Sequence, residues 1–372
     1  MPSTACKDDH EFNSEVEAER IYMEDYESPE AKWGFINQIG DVVIEARYDQ
    51  VSQFKEGLAP VCLSGKWGYV DHAGEVIIPF KFLAAWSFAD GYARVAKFDG
   101  SQCLIDRDGR PVCPVQAHEL GDPSDGRLKI STLGGDGFID TRGNIVIDPI
   151  YDRVKRFAGG YAIVTQGGKT GLIDTVGNYL LDMIYDKVYS PSSGRILVKS
   201  DEQYFFLDVS GTRVSSNTYE KATSYTGKYA AIKTKDGWHL IYEDETRVTS
   251  TPFKALRSAG NGRWIARGEE GFGLLDNSGV QLTPFLYSQI NNFNEGIATY
   301  RRDELCGFMD TTGQEILPPQ YGLAWDFHEG LARAAFRDGI AFVDKNGEIP
   351  FIPEYHELRD FSEGLAPFQE NF

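Results

Sequence analysis

The segment Trp33-Gly34-Phe35-Ile36-Asn37 recurs 34 residues later as Trp67-Gly68-Tyr69-Val70-Asp71. Between the two copies the chain runs through an Asn-x-x-Gly step at 37–40 and a second signature, Glu56-Gly57-Leu58-Ala59. A fixed period of 20 to 50 residues is typical of proteins built from stacked repeats. The repeat therefore decides the fold before any single element is assigned.

The period continues through the whole chain after the first 32 residues. An Asp or Asn opens the turn in nine of ten units, Tyr242 replaces it in the seventh, and a Gly closes the turn three residues later in those nine. The opening positions are Asn37, Asp71, Asp106, Asp140, Asp174, Asp208, Tyr242, Asp276, Asp310 and Asp344. We expect an acidic N-terminal segment at 1–32, helical or disordered, and a repeat array at 33–372 with units starting near 33, 67, 102, 136, 170, 204, 238, 272, 306 and 340.

Each unit has the local pattern of a β-meander. The Asp-x-x-Gly step lies between two runs of β-branched and aromatic residues, and Ser64-Gly65-Lys66 joins 58–63 to 67–70 as a second hairpin. The second position of the first strand is Gly in six units, which indicates close packing by an aromatic side chain of an adjacent unit. The sequence predicts an all-β protein of ten three-stranded antiparallel units.

The Lys-Trp-Gly segments at 32–34 and 66–68, with Gly330-Leu331-Ala332 as a later copy of the second signature, resemble the WG (or KWG) β-repeat family of bacterial proteins. The resemblance covers about residues 33–372, although units three, six and seven lack the Trp-Gly pair. It implies a bacterial repeat platform. It implies no catalytic motif, because the family is a repeat type and not an enzyme class.

Ten such units could stack as an open superhelical solenoid or close into a propeller-like ring. The chain finishes with Glu363-Gly364-Leu365-Ala366-Pro367, which is the first strand of an eleventh unit and could complete unit one. Because ten blades would be an unusually large propeller, we expect the open β-solenoid, with the closed ring as the alternative.

Composition limits the class of partner. With 37 Lys and Arg against 56 Asp and Glu, the net charge is −19, which disfavours binding to nucleic acid and to anionic membranes. The sequence has no signal-peptide core and no apolar window long enough to span a bilayer, and its five cysteines are scattered. These features favour a cytoplasmic protein with reduced thiols.

Sequence motifs for chemistry are weak. The turn aspartates offer one carboxylate per turn, too few for Ca²⁺, and Cys103, Cys113 and His118 lack the spacing of a zinc site. His239 stands where other units have glycine, and acidic residues follow it. We therefore expect no catalytic residue, no metal and no cofactor, with a hydrolase built on irregular units three and seven as an alternative.

Acidic residues concentrate toward the C-terminus, where residues 271–372 carry 16 acidic and 6 basic side chains. Glu295, Glu329 and Glu363 recur at the period of the repeat and should form one stripe. The stripe, with Asp303, Asp338 and Trp325, is the predicted site for a basic protein partner. The predicted function is a non-catalytic protein-binding scaffold, such as an immunity protein that neutralises a toxin; the alternative to a protein partner is a glycan bound by exposed aromatic residues.

Overall fold

The computed structural model describes residues 30–113, 119–337, 339–352 and 355–370. This part of the chain contains 36 β-strands and no helix. The predicted N-terminal segment lies almost entirely outside the described residues. The all-β class is as expected from the repeat pattern.

The strands form ten small antiparallel sheets, here called blades 1 to 10. The first five blades are, in order of hydrogen bonding, blade 1, β35 (Glu357–Leu358), β36 (Leu365–Gln369), β1 (Trp33–Asn37), β2 (Val42–Tyr48); blade 2, β3 (Gln50–Val51), β4 (Ala59–Leu63), β5 (Lys66–Val70), β6 (Val76–Phe82); blade 3, β7 (Ala84–Ala85), β8 (Ala93–Ala96), β9 (Gln102–Ile105), β10 (Pro111–Cys113); blade 4, β11 (Glu119–Leu120), β12 (Arg127–Thr132), β13 (Gly135–Asp140), β14 (Ile145–Tyr151); and blade 5, β15 (Arg153–Val154), β16 (Tyr161–Gln166), β17 (Lys169–Asp174), β18 (Tyr179–Tyr185).

The other five follow the same order, and four of them have three strands. They are blade 6, β19 (Lys187–Val188), β20 (Arg195–Ser200), β21 (Gln203–Asp208); blade 7, β22 (Lys221–Ala222), β23 (Tyr229–Thr234), β24 (Gly237–Tyr242); blade 8, β25 (Ala255–Gly260), β26 (Arg263–Arg267), β27 (Phe272–Asp276); blade 9, β28 (Gln289–Ile290), β29 (Ile297–Arg302), β30 (Leu305–Asp310), β31 (Glu315–Tyr321); and blade 10, β32 (Leu323–Ala324), β33 (Leu331–Phe336), β34 (Gly339–Asp344).

The blades are arranged as a closed ten-bladed β-propeller, so the predicted open solenoid is wrong and the alternative ring is correct. The strand that decides this is β36, which pairs antiparallel with β1 from Trp33↔Gln369 to Asn37↔Leu365. The backbone N–H of Glu370 also donates to the carbonyl of Lys32 at 3.0 Å. The strands of each sequence unit belong to two neighbouring blades. Unit one gives blade 1 only β1 and β2, and the other two strands of this blade, β35 and β36, come from residues 357–369.

Both predicted hairpins are present. In blade 2, β4 pairs with β5 and β5 pairs with β6, joined by the Ser64-Gly65 turn and the Asp71-to-Gly74 turn. The sequence predicted three strands per unit, whereas this blade has four, because the two-residue strand β3 pairs with β4. Such a short segment has no periodicity from which it could be predicted.

The repeated glycine permits a close contact inside a blade. Five blades have a seven-residue fourth strand, and all five have Gly at the second position of the sequence repeat: Gly34, Gly68, Gly137, Gly171 and Gly307. A Cβ at Gly68 would lie 2.6 Å from the carbonyl oxygen of Ile78 on the fourth strand, at a β-bulge. At four of these glycines the tightest contact is thus backbone of the same blade. At Gly307 it is the ring of Tyr300 from the preceding sequence unit, as the sequence suggested.

Three of the four three-stranded blades carry a larger residue at the same position. Blades 6, 7 and 10 carry Phe205, His239 and Ala341 there, and each has three strands. In blades 6 and 7 the fourth segment still hydrogen-bonds to the third strand, but only through isolated bridges such as Tyr204↔Tyr219 and Trp238↔Phe253. Blade 3, with Cys103 at this position, keeps a three-residue fourth strand. Blade 8 has Gly273, where the ring of Phe285 occupies the space instead.

The hydrophobic core lies between blades. Phe35 of blade 1 packs edge-on against Phe54 of blade 2, with ring centroids 4.9 Å apart, and Phe308 of blade 9 packs in the same way on Phe327 of blade 10 at 5.0 Å. An equivalent pair, Phe342 and Phe361, joins blade 10 to blade 1 at 4.7 Å. Each such aromatic pair contributes about 1 kcal/mol beyond area burial. The contact between blades 10 and 1, which closes the ring, is packed by the same kind of aromatic pair as the other two contacts.

Candidate functional site

One face of the ring carries two rows of turns. Ala59, which follows the Glu56-Gly57 turn, pairs with Val70, which precedes Asp71, so both turns lie at the same end of the strands. We call this end of the blades the turn face. The opposite end, with hairpins such as Ser64-Gly65, is the hairpin face.

The first row on the turn face contains an arc of six carboxylates in six consecutive blades. Each precedes the turn glycine and has a positive φ between 49° and 55°. The six, here called the carboxylate arc, are Glu295, Glu329, Glu363, Glu56, Asp90 and Asp125. Ring closure makes the arc continuous, because it places Glu363 of blade 1 beside Glu56 of blade 2.

Each arc carboxylate caps the turn of the next blade. Glu295 accepts from the backbone N–H groups of Glu329 and Gly330 at 2.5 and 2.9 Å, and Glu329 accepts from those of Glu363 and Gly364 at 2.6 and 2.8 Å. Glu363 continues the series with the N–H of Gly57 at 2.9 Å. These hydrogen bonds offset the conformational free energy that a positive φ costs at a residue other than glycine. The carboxylates remain accessible, with about a third of the side chains of Glu295 and Glu363 exposed (30% and 33%).

The second row consists of the Asp-x-x-Gly turns. In eight of them the Asp Oδ1 accepts backbone N–H groups two and four residues ahead, as at Asp71, Asp106, Asp140, Asp174, Asp208, Asp276, Asp310 and Asp344. The side-chain hydrogen bond from Ser210 is the main reason why the pKa of Asp208 lies below its usual value. Turn capping therefore accounts for this row, and the described residues contain no group of three or more His, Cys, Asp or Glu side chains that could hold a metal.

These capped aspartates predict a loss of stability in acid. A carboxyl group whose pKa is lower in the folded than in the unfolded state stabilises the fold above the unfolded pKa and loses this effect as the pH falls. Asp236, which lies in a turn of the hairpin face and not in this row, adds to the effect, because the side-chain hydrogen bond from Thr234 lowers its pKa from 3.8 to about 2. We expect the thermal midpoint, followed by circular dichroism, to be constant from about pH 7 to 5 and to drop between about pH 4 and 2. A midpoint independent of pH down to pH 2 would contradict the capping role, and Asp208→Asn should weaken the dependence.

The structure separates the residues predicted for partner binding. Glu295, Glu329 and Glu363 lie together on the turn face, as expected. Asp303 follows β29 whereas Glu295 precedes it, so Asp303 lies on the hairpin face. Trp325 follows β32 in a cleft between blades, and Asp338 lies outside the described residues.

The irregular blades place their candidate residues inside the protein. His239 is fully buried (0% exposed), with Nε2 3.0 Å from an Oδ of Asp236 and Nδ1 3.4 Å from the carbonyl of Thr249. Cys103 is also buried, and burial raises the pKa of its thiol, which disfavours the nucleophilic thiolate. Neither position presents a reactive atom to a substrate, and the side chain of Cys113 and all of His118 lie outside the description.

Two adjoining clefts open between blades 8, 9 and 10. The first, about 450 Å³, is lined by Arg257, Asn292 and Asp326, and the second, about 390 Å³, by Tyr300, Arg301, Trp325 and the same Asp326. Gln289 and Asn291 line both clefts. Of these residues, the sequence indicated only Trp325, because the lining comes from three blades and carries no motif.

Trp325 belongs to a stacked triad that occurs twice in the ring. The guanidinium of Arg333 lies 4.6 Å from the Trp325 ring centroid and donates two hydrogen bonds to Asp360 of blade 1, at 2.6 and 3.1 Å. The equivalent triad is Trp86, Arg94 and Asp122, at the contact of blades 3 and 4. These triads hold adjacent blades together and cover one face of each Trp ring.

Comparison with known proteins shows the family. A model described as "WG containing repeat" matches residues 33–67, 67–100, 137–169, 171–204, 272–306, 307–339 and 340–371, which is more than half of the chain. The chain is a WG-repeat protein. Within the array of this WG-repeat protein, the unmatched stretches correspond to units three, six and seven, which have Cys103, Phe205 and His239 in place of the repeat glycine.

Solved structures similar to this WG-repeat protein have low similarity scores. They include the computationally designed Ika8 protein (12% identity, TM-score 0.36, covering 78% of this chain and 94% of that one) and a eukaryotic initiation factor (11%, 0.44, 77% and 95%). A third is the dihydro-heme d1 dehydrogenase NirN in complex with DHE (14%, 0.35, 70% and 70%). No curated protein matches the sequence. Among the described residues, no helix has the length and apolar character needed to cross a bilayer.

Proposed function

We propose that this WG-repeat ring is a non-catalytic scaffold that binds a basic protein through its turn face. The observation that carries the proposal is the carboxylate arc, in which Glu295, Glu329 and Glu363 continue without a break into Glu56 across the closure of the ring. Repeated positions on a ring present their side chains at regular intervals. Such a surface suits a partner with several spaced Lys and Arg side chains.

Local charge supports the same surface. The arc carboxylates already attract basic side chains of this chain: Lys345 Nζ lies 3.9 Å from Glu295 and His72 Nε2 lies 3.4 Å from Glu363, both on partly exposed side chains. Blades 9, 10 and 1 also take most of their residues from 271–372, where acidic side chains exceed basic ones by 16 to 6. An acidic face of this kind accelerates association with a cationic protein.

Neutralisation of a toxin, as by an immunity protein, is a narrower form of this proposal. Its support is the net charge of −19 together with the arc, since a cytoplasmic inhibitor of a basic toxin gains association rate from acidic side chains. Co-expression with the product of the adjacent gene tests it: protection from toxicity that depends on the arc supports it, and absence of protection contradicts it.

Variants of the arc test the broader proposal. The triple variant Glu295→Gln, Glu329→Gln, Glu363→Gln removes three charges but keeps an amide oxygen as acceptor for each turn. The matched control, Glu202→Gln, Glu269→Gln, Asp303→Asn, removes three charges from the hairpin face, where these side chains are 87%, 87% and 91% exposed.

We expect the tagged wild-type chain to capture a basic partner from a lysate of its source cell at about 50 mM salt and to lose most of it at about 500 mM, because salt screens exposed charges. The arc variant should reduce recovery of that partner at least about tenfold, equivalent to about 1.4 kcal/mol, and the control should have little effect. Capture that is indifferent to salt, or equally sensitive to both triple variants, would contradict binding through the turn face.

A further inference from the structure

Asp326 is a partly buried carboxylate with no bonding partner in the part of the chain that the structure describes. It lies at the junction of the two clefts and lines both of them. Among the described residues its carboxylate accepts no hydrogen bond and has no Lys, Arg or His nitrogen within 4 Å. Burial is the main reason why its pKa is raised. A carboxylate in this state is stabilised when a cation or a hydrogen-bond donor enters the cleft.

The charged groups around Asp326 are already engaged with other atoms. Asp360 accepts two hydrogen bonds from Arg333, and His328 Nε2 lies 4.0 Å from the same Asp360. At the end of the second cleft, Arg301 donates through Nε and Nη2 to the carbonyl of Glu304 at 3.2 and 3.0 Å. Asp326 is therefore the acidic group that remains available to a ligand.

Polar groups beside Asp326 suit a peptide. Arg257 donates to the carbonyl of Ile290 at 2.7 Å and to the side-chain oxygen of Asn292, which leaves the amide nitrogen of Asn292 as a donor facing the first cleft. The Gln289 amide nitrogen donates to the Asn291 oxygen at 2.7 Å, which leaves the Gln289 oxygen as an acceptor. One donor and one acceptor on either side of a carboxylate match the backbone groups next to a basic side chain.

We propose that the cleft containing Asp326 binds a lysine or arginine side chain of the protein partner, with the cation paired to Asp326 and the flanking peptide bonded to Asn292 and Gln289. This inference rests on the proposed function, because it names the side chain of a basic protein partner that binds in the cleft between blades. The carboxylate of Asp326 selects this occupant, because the two arginines of the lining, Arg257 and Arg301, are bonded to backbone carbonyl oxygens. A saccharide fits less well, because Arg333 already covers one face of Trp325.

The test uses two short peptides that differ in charge only. The probes are acetyl-Gly-Arg-Gly-amide and the same peptide with citrulline, a neutral isostere of arginine, titrated into the full chain by calorimetry. The variants are Asp326→Asn and the control Asp303→Asn, whose carboxylate is 91% exposed on the hairpin face. A crystal soaked with the arginine peptide locates the bound side chain.

We expect the arginine peptide to bind at least about tenfold more tightly than the citrulline peptide, and this preference to disappear in Asp326→Asn but not in Asp303→Asn. The thermal midpoint of Asp326→Asn should equal or exceed that of the wild type, because an unpaired buried charge is removed. Equal binding of both peptides, an unchanged preference in Asp326→Asn, or a guanidinium found elsewhere would overturn the proposal. So would a large fall in the midpoint of Asp326→Asn, which would make Asp326 a structural residue.

Failure of this inference is distinguishable from failure of the proposed function. If partner capture depends on the arc but Asp326→Asn leaves both capture and peptide binding unchanged, the turn face is the binding surface and the cleft is not. If the arginine peptide binds at Asp326 while capture is indifferent to salt and to the arc variant, the cleft proposal stands and the turn-face proposal fails.

Discussion

Deletion of residues 365–372 should remove most of the stability of the fold and make the chain prone to aggregate. The deletion removes β36 and with it the five residue pairs that join this strand to β1. It also removes Phe368, a buried side chain that packs on Tyr355 at 4.3 Å between ring centroids. Loss of one buried Phe alone costs about 3–5 kcal/mol, and β1 would then present an unpaired edge to other chains.

Denaturant unfolding followed by tryptophan fluorescence and size-exclusion chromatography would measure the effect. A circular permutant of residues 30–370 serves as the control, with a short linker from Glu370 to the segment before Lys32 and new ends at the Gly167-Gly168 turn. The ends are adjacent, because the Glu370 N–H lies 3.0 Å from the Lys32 carbonyl oxygen. The permutant keeps every strand and should be nearly as stable as the parent. A truncated chain as stable as the parent would contradict the role of β36.

Gly137→Ala should destabilise the protein by about 3 kcal/mol, at the upper end of what an extra methyl group costs in a packed interior. A Cβ at Gly137 would lie 2.5 Å from the carbonyl oxygen of Ile147 and 2.6 Å from the nitrogen of Pro149, which are both backbone atoms of β14. Backbone atoms held in a sheet cannot rotate away, so β14 must leave β13 or the bulge must open. The free energy of unfolding in urea is the quantity to measure.

The reciprocal substitution, Ala341→Gly, is the control for Gly137→Ala. Ala341 occupies the equivalent position in blade 10, which has three strands among the described residues. We expect a change of no more than about 1 kcal/mol, from the flexibility of glycine in a strand. Equal effects of the two substitutions would show that the position acts through backbone preference and not through contact with the fourth strand.

The local structure of this protein was accessible from sequence because its determinants are local. Asp71 and Gly74 fix a turn by the bonds that they make within five residues, and the flanking apolar runs have no alternative but to pair. The spacing of Phe293, Phe327 and Phe361 by the period predicts core positions; Phe327 and Phe361 are buried, and Phe293 packs partly buried against the core. The acidic stripe was predicted for the same reason, since equivalent positions of a repeat occupy equivalent places.

Ring closure and the cleft were not accessible because they depend on the sum of small rotations between blades. Leu365 to Gln369 has the pattern of a strand in either architecture, and only the accumulated curvature brings it beside Trp33. The arc shows the same limit: Glu363 and Glu56 are neighbours only in the closed ring. Asp326 has no sequence signal, because its significance lies in the absence of a partner from three surrounding blades.

Disulfide trapping across the contact of β1 and β36 tests ring closure most directly. Asn37 and Leu365 are paired in the antiparallel register, at a separation of about 5 Å between Cα atoms, which a disulfide can span. Ile297 is the residue equivalent to Leu365 in blade 9, where it pairs with Asp310, so Asn37→Cys with Ile297→Cys is the matched control. Under mild oxidation the closed ring predicts an intramolecular bond in the Asn37→Cys, Leu365→Cys monomer, identified by peptide mapping, and none in the control. A folded monomer that forms no such bond, or forms it only between two chains, would contradict the ring.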